Sequence, residues 1–429
     1  MYRLKDLEKQ FTVTAADMRR VVKDFHAEME RGLCGKSSSL KMIPTYVHRP
    51  TGDEKGTYIG LDLGGTNFRV LQVKLSGGGR SAVARAEKFA LRKQHIATTA
   101  DALFGFIARS IKDFIAGARI GAGKRVHLGF TFSFPVKQTA VDSGILIRWT
   151  KAFRAKGAEG RDVVALLNEA LGREGISDIK VSALLNDTVG TLVAEAYEDR
   201  QCDAGVILGT GTNACYYEPS REGMAINIEW GNFNKLKLTP YDKALDKASG
   251  NPGQQILEKM VSGMYLGELA RLVCAELIKK KALFGGKPSA AFGRAYAFKT
   301  EQMSRIAADA SKGLAGTAAV LKELGIRKAA VEDRALVKKA CDIISTRAAR
   351  VSATALAAVV TRMDPALSRA HTAAIDGSVF EKYPQFSGKM KDALRELFGR
   401  KADRIKMVLT KDGSGKGAAI VAAVSATYA

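Results

Sequence analysis

Cysteine is scarce and unpaired in this 429-residue chain: Cys34, Cys202, Cys215, Cys274 and Cys341 are scattered, and none stands in a CxxC. An odd, dispersed set argues against a disulfide framework and against a structural zinc site, and fits reduced thiols. Histidine is as sparse: His26, His48, His95, His127 and His371 lie far apart and none belongs to an HExxH, so local histidine–metal or histidine–base chemistry has no support and each reads as an ordinary half-buried or surface ring. Long apolar runs are missing too. A membrane span needs about 18 to 20 apolar residues, whereas the longest run, 417–429, has 13 and includes Ser and Thr. The opening MYRLKDLEKQF lacks the apolar core of a secretory signal. With nine prolines and no low-complexity tract, ordered crossings are expected between lobes rather than flexible tethers. These absences lead to the expectation of a soluble protein of the cytoplasm.

Acid is in deficit: 44 Asp plus Glu stand against 67 Lys plus Arg, a formal charge of +23. Such an excess raises nucleic acid, an anionic membrane face or acidic small substrates as partners. The densest basic spots, Lys279-Lys280-Lys281 and 395–406, are short, broken by acidic and apolar residues, and without interleaved aromatics. No nucleic acid partner is therefore expected. The length fits about three small domains or one large two-lobed enzyme.

Strand and helix alternate along the chain, which indicates an α/β fold. Apolar spacing predicts a helix over 14–32, then a β-hairpin over 58–75 whose two runs meet at Gly64-Gly65-Thr66-Asn67. A helix over 99–115, a strand over 126–132, a helix over 160–171 and a strand over 180–185 follow, the last entering Asn186-Asp187. A second strand–turn–strand is expected over 204–218, a short strand over 224–229, and a mostly helical half over 253–364. The strand 371–375 enters Asp376-Gly377-Ser378; the strand 406–409 enters a turn, Asp412-Gly-Ser-Gly415, before a small-residue helix.

Four glycine turns thus end strands: DLGGTN, LGTGTN, IDGS and KDGSG. A glycine-rich turn is often only a turn. Four of them in one α/β chain argue for a nucleotide cleft between two sheets, because each exposes backbone N–H groups to phosphate oxygens. There is no GxxxxGK(S/T), so this is not a P-loop protein. GTGTNA imitates a dinucleotide fingerprint, but CYYE continues as strand where that motif needs a helix, which sets a dehydrogenase aside.

LDLGGTNFRV, LGFTFSFPV, RWTKAF, LLNDTVGTL, LGTGTNACYYE, NIEWGNF, NPGQQILEKMVSGMYLGEL, AIDGSV and KDGSGKGAA occur in this order from about Met18 to Ala423. Together they resemble the ATP-dependent hexokinases of eukaryotic type, in wording most like the kinetoplastid branch. The resemblance implies an actin-like ATPase, ribonuclease H-like fold: two lobes of mixed β-sheet flanked by helices, the active site in the cleft between them. It places 1–55 and 188–414 in a large lobe and 56–187 with 415–429 in a small one. It implies ATP and Mg²⁺, with D-glucose and related hexoses such as mannose or fructose as partners. Asp187 resembles the general base for the sugar 6-hydroxyl, a task that suits a carboxylate; read from spacing alone it is also a helix-cap residue. Ser133, Thr150, Lys151, Asn186, Asn213, Glu229 and Glu258 match sugar-binding positions, all donors or acceptors, as a polyhydroxyl ligand requires. Asp62 resembles the residue that orients Mg²⁺ through water; Gly64, Gly65, Thr66 and Asn67 would contact phosphates, with Arg69 and Lys151 offsetting developing charge. Thr210 and Gly211 match a second phosphate turn, and Gly377, Ser378 and Gly413 the loops around adenine and ribose. Without the family, Asp62 reads as a turn former and Lys151 as a solvated charge. The segments 217–224 and 283–300 are short for the family, which bears on the adenosine pocket near Lys299 and Thr300. There is no duplicated second half; the association expected is monomer or homodimer. Arg3-Leu4, five spacers and Gln10-Phe11 come near a glycosomal address, with Gln10-Phe11 alternatively opening the first helix. A sugar sensor on the same fold is the competing reading; the intact Asn186-Asp187 pair with Asp62 and Lys151 speaks for a working catalyst.

Overall fold

The computed structural model describes residues 4–65, 67–118, 125–150, 153–287 and 289–428. Its strands are β1 (Ile43–Pro44), β2 (Lys55–Leu63), β3 (Asn67–Gly77), β4 (Arg80–Ala90), β5 (Val126–Phe132), β6 (Val136–Ala140), β7 (Ser143–Leu146), β8 (Ile179–Leu185), β9 (Cys202–Leu208), β10 (Thr212–Glu218), β11 (Met224–Asn227), β12 (His371–Asp376) and β13 (Ile405–Leu409). One sheet runs β4-β3-β2-β5-β8, another β1-β11-β10-β9-β12-β13, and β6 pairs with β7 in a separate hairpin. The two large sheets share a plan. In each, three antiparallel strands in meander (β2-β3-β4, β9-β10-β11) are extended by two parallel ones (β5 and β8, β12 and β13). The glycine segments after Leu63 and after Leu208 therefore each join the first two strands of a meander.

The sequence patterns explain these elements. The parallel strands read as nearly unbroken apolar runs because both faces are covered, as in VHLGFTF of β5 and CDAGVIL of β9. The helix Ala15–Leu33 begins one residue after Thr14, whose side chain forms a capping box with Asp17 and buries Met18, Val21, Phe25 and Met29. The helix Val163–Arg173 is capped by Asp162, and the helix Asp187–Glu198, here the interlobe helix, by Asn186.

Several expectations need correction. The Asp412 to Gly415 stretch is not a free turn: the C-terminal helix Gly413–Tyr428 starts at Gly413. Gln10-Phe11 closes a short helix, Leu4–Phe11, rather than opening the next one. The sheet edge β4 and the β6–β7 hairpin were not anticipated. Among the histidines, His371 is 1% exposed, its Nδ1 2.6 Å from Asp203 and its Nε2 3.2 Å from Asp364. The helix Val331–Met363 is long and apolar enough to span a bilayer, but the most apolar stretch of it is 83% buried inside the protein, so it is the core helix of the larger half. The five cysteines are free thiols, Cys34 exposed and the others buried, and burial pushes Cys274 up to about 12.

The two sheets meet on the interlobe and C-terminal helices. A Cβ on Gly60 of β2 would lie 2.0 Å from the Gly415 carbonyl oxygen, one on Gly129 of β5 1.8 Å from that of Ala418, and one on Gly417 2.0 Å from that of Gly190. Backbone therefore lies directly on backbone at all three points. Only glycine permits this approach. Leu71, Val73, Ala183, Leu185, Val189, Cys215, Tyr217, Ala419 and Ile420 fill the core between the sheets.

This contact yields a prediction. Gly129→Val should cost about 3 kcal/mol or more, or prevent folding, because overpacking against backbone has no rotamer to relieve it. Gly172→Ala, on a helix with nothing within 4 Å of the new methyl, should be neutral or add about 0.5–1 kcal/mol. Thermal unfolding of both variants decides; a wild-type melting temperature for Gly129→Val would overturn the close contact.

Candidate active site

Strand ends gather the candidate residues. β5 and β8 are parallel neighbours with Thr131 opposite Leu185, so Ser133 and Asp187 each emerge two residues past adjacent positions at the same sheet edge. Asp187 is the first residue of the interlobe helix, where the helix dipole favours its negative charge. The Thr188 N–H reaches Asp187 Oδ1 at 2.8 Å and Asn186 Oδ1 at 2.9 Å, and the Thr188 hydroxyl lies 2.6 Å from Asn186 Oδ1. One buried threonine thus orients both members of the pair.

The β6–β7 hairpin docks beside them. Gln138 Nε2 donates to the Leu184 carbonyl at 2.8 Å, and the Leu184 N–H donates to the Val141 carbonyl at 2.7 Å. Thr150 follows this hairpin, with the Phe153 N–H on its carbonyl at 3.1 Å. Phe132, Phe134, Trp149 and Phe153 stack into one aromatic cluster beneath it, and Trp149 Nε1 donates to the Ala155 carbonyl at 2.9 Å. Lys151 lies outside the described residues, as does Thr66.

A second polar group forms on the other sheet. Asn213 Nδ2 donates to Asn227 Oδ1 at 2.8 Å and to Glu229 Oε1 at 3.3 Å, and Asn227 Nδ2 donates to Glu229 Oε1 at 3.0 Å. Glu229 has φ 55°, a conformation that turns the chain sharply after β11. Glu258, on the short helix Ile256–Val261, accepts the Thr212 N–H at 2.9 Å. Gly211 and Gly231 make room for it, since a Cβ on either would lie 2.7 or 3.3 Å from its side chain. Burial, with Glu258 as a further cause, pushes the Tyr265 phenol up to about 12, which keeps it a neutral donor. Asn227 belongs to this cluster and was missed in the sequence; its position two residues before the glutamate of NIEW was the available signal.

The glycine turns frame the third part. Gly64 N–H donates to the Asn67 carbonyl at 3.1 Å and Gly209 N–H to that of Gly211 at 3.0 Å, closing both turns. Gly377 has φ 122°, and a Cβ there would lie 2.4 Å from the Leu208 carbonyl, so the β12 turn is locked onto the end of β9. Beside it a cleft of about 600 Å³ is lined by Thr210, Met264, Tyr296, Phe298, Lys299, Thr300, Ser378 and Val379. Met264, Tyr296, Phe298 and Val379 give it an aromatic and apolar side, and Lys299, Thr300, Glu301, Ser304, Ser378 and Lys382 a polar one, a pairing that suits a flat heterocycle with polar substituents. Gly413 does not line it: a Cβ there would lie 3.0 Å from Thr191 Cα, which makes it a packing contact of the C-terminal helix.

Arg69 links the parts. Its Nη2 donates to Asp62 Oδ2 at 2.7 Å and its Nη1 to Asp412 Oδ1. Burial alone would lower the Arg69 pKa; Asp62 and Asp412 outweigh it and raise it. Burial pushes the Asp376 carboxyl above the usual carboxylate range; the Gly377 N–H and Arg69 oppose this, and the charges of Asp412 and Asp62 add to it. Asp376 and Asp412, overlooked as site residues, each precede a glycine–serine pair in the sequence. Among the described residues no three His, Cys, Asp or Glu side chains are grouped to cage a metal alone. Mg²⁺ is held through one or two carboxylates plus phosphate oxygens, and Asp62 offers the hard oxygen it takes.

Residues 3–197 and 203–424 match two family models, each described as hexokinase. The chain is 44% identical to Hexokinase-1 of Oryza sativa subsp. japonica, over 97% of this chain and 90% of that one. It is 40% identical to Hexokinase-2 of Homo sapiens, over 94% of this chain and 46% of that one. A hexokinase structure from Schistosoma mansoni complexed with glucose superposes with a TM-score of 0.84 at 34% identity, covering 98% of this chain and 97% of that one. A further hexokinase structure gives a TM-score of 0.88 at 33% identity, with 98% of each chain covered. The architecture is accordingly the two-lobed actin-like ATPase fold.

The carboxylate cluster generates a pH prediction. A folded-state pKa raised above the unfolded value means that Asp376 contributes stability only while protonated and loses it as pH rises through that pKa. Asp376→Asn, neutral throughout, should melt higher than wild type at pH 7, and the gap should close below about pH 4, where the native carboxyl is protonated. Melting curves across pH 3.5–8 test this; an unchanged or lower melting temperature at pH 7 would contradict it.

Proposed function

The chain belongs to the hexokinase family, and from that premise we propose that it transfers the γ-phosphoryl of ATP, bound with Mg²⁺, to the 6-hydroxyl of D-glucose. The observation that carries this is Asp187 itself: a carboxylate at the N-terminus of the interlobe helix, oriented together with Asn186 by buried Thr188, in a chain whose two sheets each open on a glycine turn. Phosphoryl transfer asks the protein to align the acceptor, neutralise charge and exclude water, with little covalent chemistry of its own.

Asn213, Glu229, Glu258, Asn186, Ser133 and Thr150 would hold the sugar hydroxyls, and Asp187 would accept the proton of the attacking one. The turns at 64–67 and 209–211 would hold phosphate oxygens by backbone N–H groups. Arg69 would exchange Asp412 for the transferring group. Mg²⁺, oriented by Asp62, neutralises phosphate charge when bound. Lys151 would assist from the loop after Trp149. The lobes, taken as 1–55 with 188–414 and 56–187 with 415–429, would close on sugar and expel water. Mannose and fructose are further acceptors on this reading, and monomer or homodimer the association.

We place the protein in the cytoplasm. Favouring this over a glycosome is Phe11, 2% exposed and packed on Tyr241 at 5.7 Å and under Arg347 at 4.5 Å, so a receptor would have to unseat it. The kinetoplastid branch is proposed from the wording of FTFSFPV and IDGSVFEKYP.

Purified protein with Mg·ATP should release ADP and glucose 6-phosphate in equal amounts at about 1–100 s⁻¹. Asp187→Ala should lower kcat by about 10² to 10⁴ with a smaller change in glucose affinity. Arg69→Ala should act on nucleotide kinetics. Near-normal turnover in Asp187→Ala would remove it as the base; glucose-induced protection against unfolding without turnover in the wild type would favour the sensor.

A further inference from the structure

Next to the sugar-facing Glu258 stands a residue with no place in that account. The Lys259 side chain is 4% exposed, and its ammonium donates to Asp246 Oδ1 at 2.6 Å and to the Asn251 carbonyl at 2.7 Å. An ammonium out of water is costly unless charge-assisted bonds replace its hydration. The apolar anchoring of the short helix is already supplied by Ile256, Leu257 and Met260. The charge is therefore not needed for packing, and a methionine would fill the same space.

Its bonds close a loop. Asp246, near the end of the helix Pro240–Ala248, takes the Gly253 N–H on both carboxylate oxygens at 3.0 Å. Asn251 Nδ2 donates to Gln255 Oε1 at 2.5 Å, and Gln255, with φ 52°, is the residue from which the Ile256–Val261 helix departs. The segment 249–255 is thus wrapped round one ammonium and one carboxylate, and its exit sets the angle at which Glu258 meets the Thr212 N–H and the floor of Gly211 and Gly231. Adjacent in sequence, Glu258 reaches the Thr212 N–H, one residue before Asn213, while Lys259 reaches the loop behind it.

We propose that Lys259 and Asp246 form a clasp that positions Glu258, and that they are positioning residues for sugar affinity. The inference rests on the hexokinase reading. A shift of about 1 Å in a substrate-holding group can cost on the order of 10²-fold, so a clasp on the loop behind Glu258 acts chiefly on sugar binding, the neighbouring turn being closed by its own Gly209 to Gly211 bond.

The test is steady-state kinetics and glucose calorimetry on wild type, Lys259→Met, Glu258→Gln and the double variant. Lys259→Met should raise the glucose KM by about 10- to 100-fold, with the ATP KM and kcat within about threefold. Because Lys259 acts through Glu258, the double variant should be no worse than Glu258→Gln alone within about twofold. An unchanged glucose KM in Lys259→Met, or effects that multiply fully in the double variant, would overturn the clasp. If Lys259→Met does not fold, Asp246→Asn, which keeps an acceptor for the Gly253 N–H, should weaken glucose in the same direction, and an unaltered glucose KM there overturns it. A wild type that turns over no glucose defeats the hexokinase reading instead; glucose calorimetry on the same proteins then decides the clasp, equal affinities with and without Lys259 counting against it.

Discussion

The backbone-to-backbone contact between the interlobe and C-terminal helices is what the rest of the molecule depends on. Gly190 faces Gly417, while Gly415 and Ala418 rest on Gly60 and Gly129 of the five-stranded sheet, at distances that leave no room for a methyl group. The same interlobe helix lies against the other sheet, where a Cβ on Gly205 of β9 would sit 2.5 Å from the Thr188 carbonyl. Asp187 is therefore fixed relative to both sheets at once, through the peptide planes and not through adaptable side chains. Interiors packed this tightly have few intermediate arrangements, so the helix pair transmits the position of either sheet to the Asp187 carboxylate.

The repeated sheet plan supplies the second constraint. Because each meander opens with a tight glycine turn, the two sheets present two sets of backbone donors without spending charged side chains on them. Backbone donors are held by the ladder and lose little entropy on binding, which is why pre-organised N–H groups suit phosphate. The polar cluster after β10 and β11 is built differently, from amides and a carboxylate that bind one another, Asn213 to Asn227 and Asn227 to Glu229. Such a network penalises any ligand that fails to replace its bonds.

How much of this was legible in the sequence follows the same physics. Elements defined by the core were readable: β5 was bounded correctly because both its faces are buried, and the helix of Thr14 because its cap and its apolar stripe agree. The edge strand β4 alternates Arg, Lys and Glu with small residues and has one sheet neighbour, so no apolar pattern marked it; only the glycines 77–79 before it did. The start of the C-terminal helix was hidden because Gly413 and Gly415 read as a turn, whereas their small size serves packing. Motif resemblance could name Glu258 and Asp62. It could not name Lys259, Asp376 or Asp412, whose side-chain partners lie from eight to more than three hundred positions away.

The chain as a whole is positively charged, whereas around Arg69 carboxylates outnumber cations. An excess of 23 positive charges attracts an anionic nucleotide from a distance, an effect on encounter rather than on fold. At the centre, Asp62 and Asp412 bind the guanidinium of Arg69 while Asp376 stands near enough to feel their charges, and its raised pKa reports burial first and their repulsion after it. Such a centre repels a bare polyphosphate and is relieved by a cation arriving with it. The long-range field would thus gather nucleotide while the local field admits the form that carries its own metal. Arg69 stands between them: bound on two sides by carboxylates, it is already aligned before any phosphate replaces Asp412, and alignment in advance is what lets a buried charge act without reorganisation during the reaction.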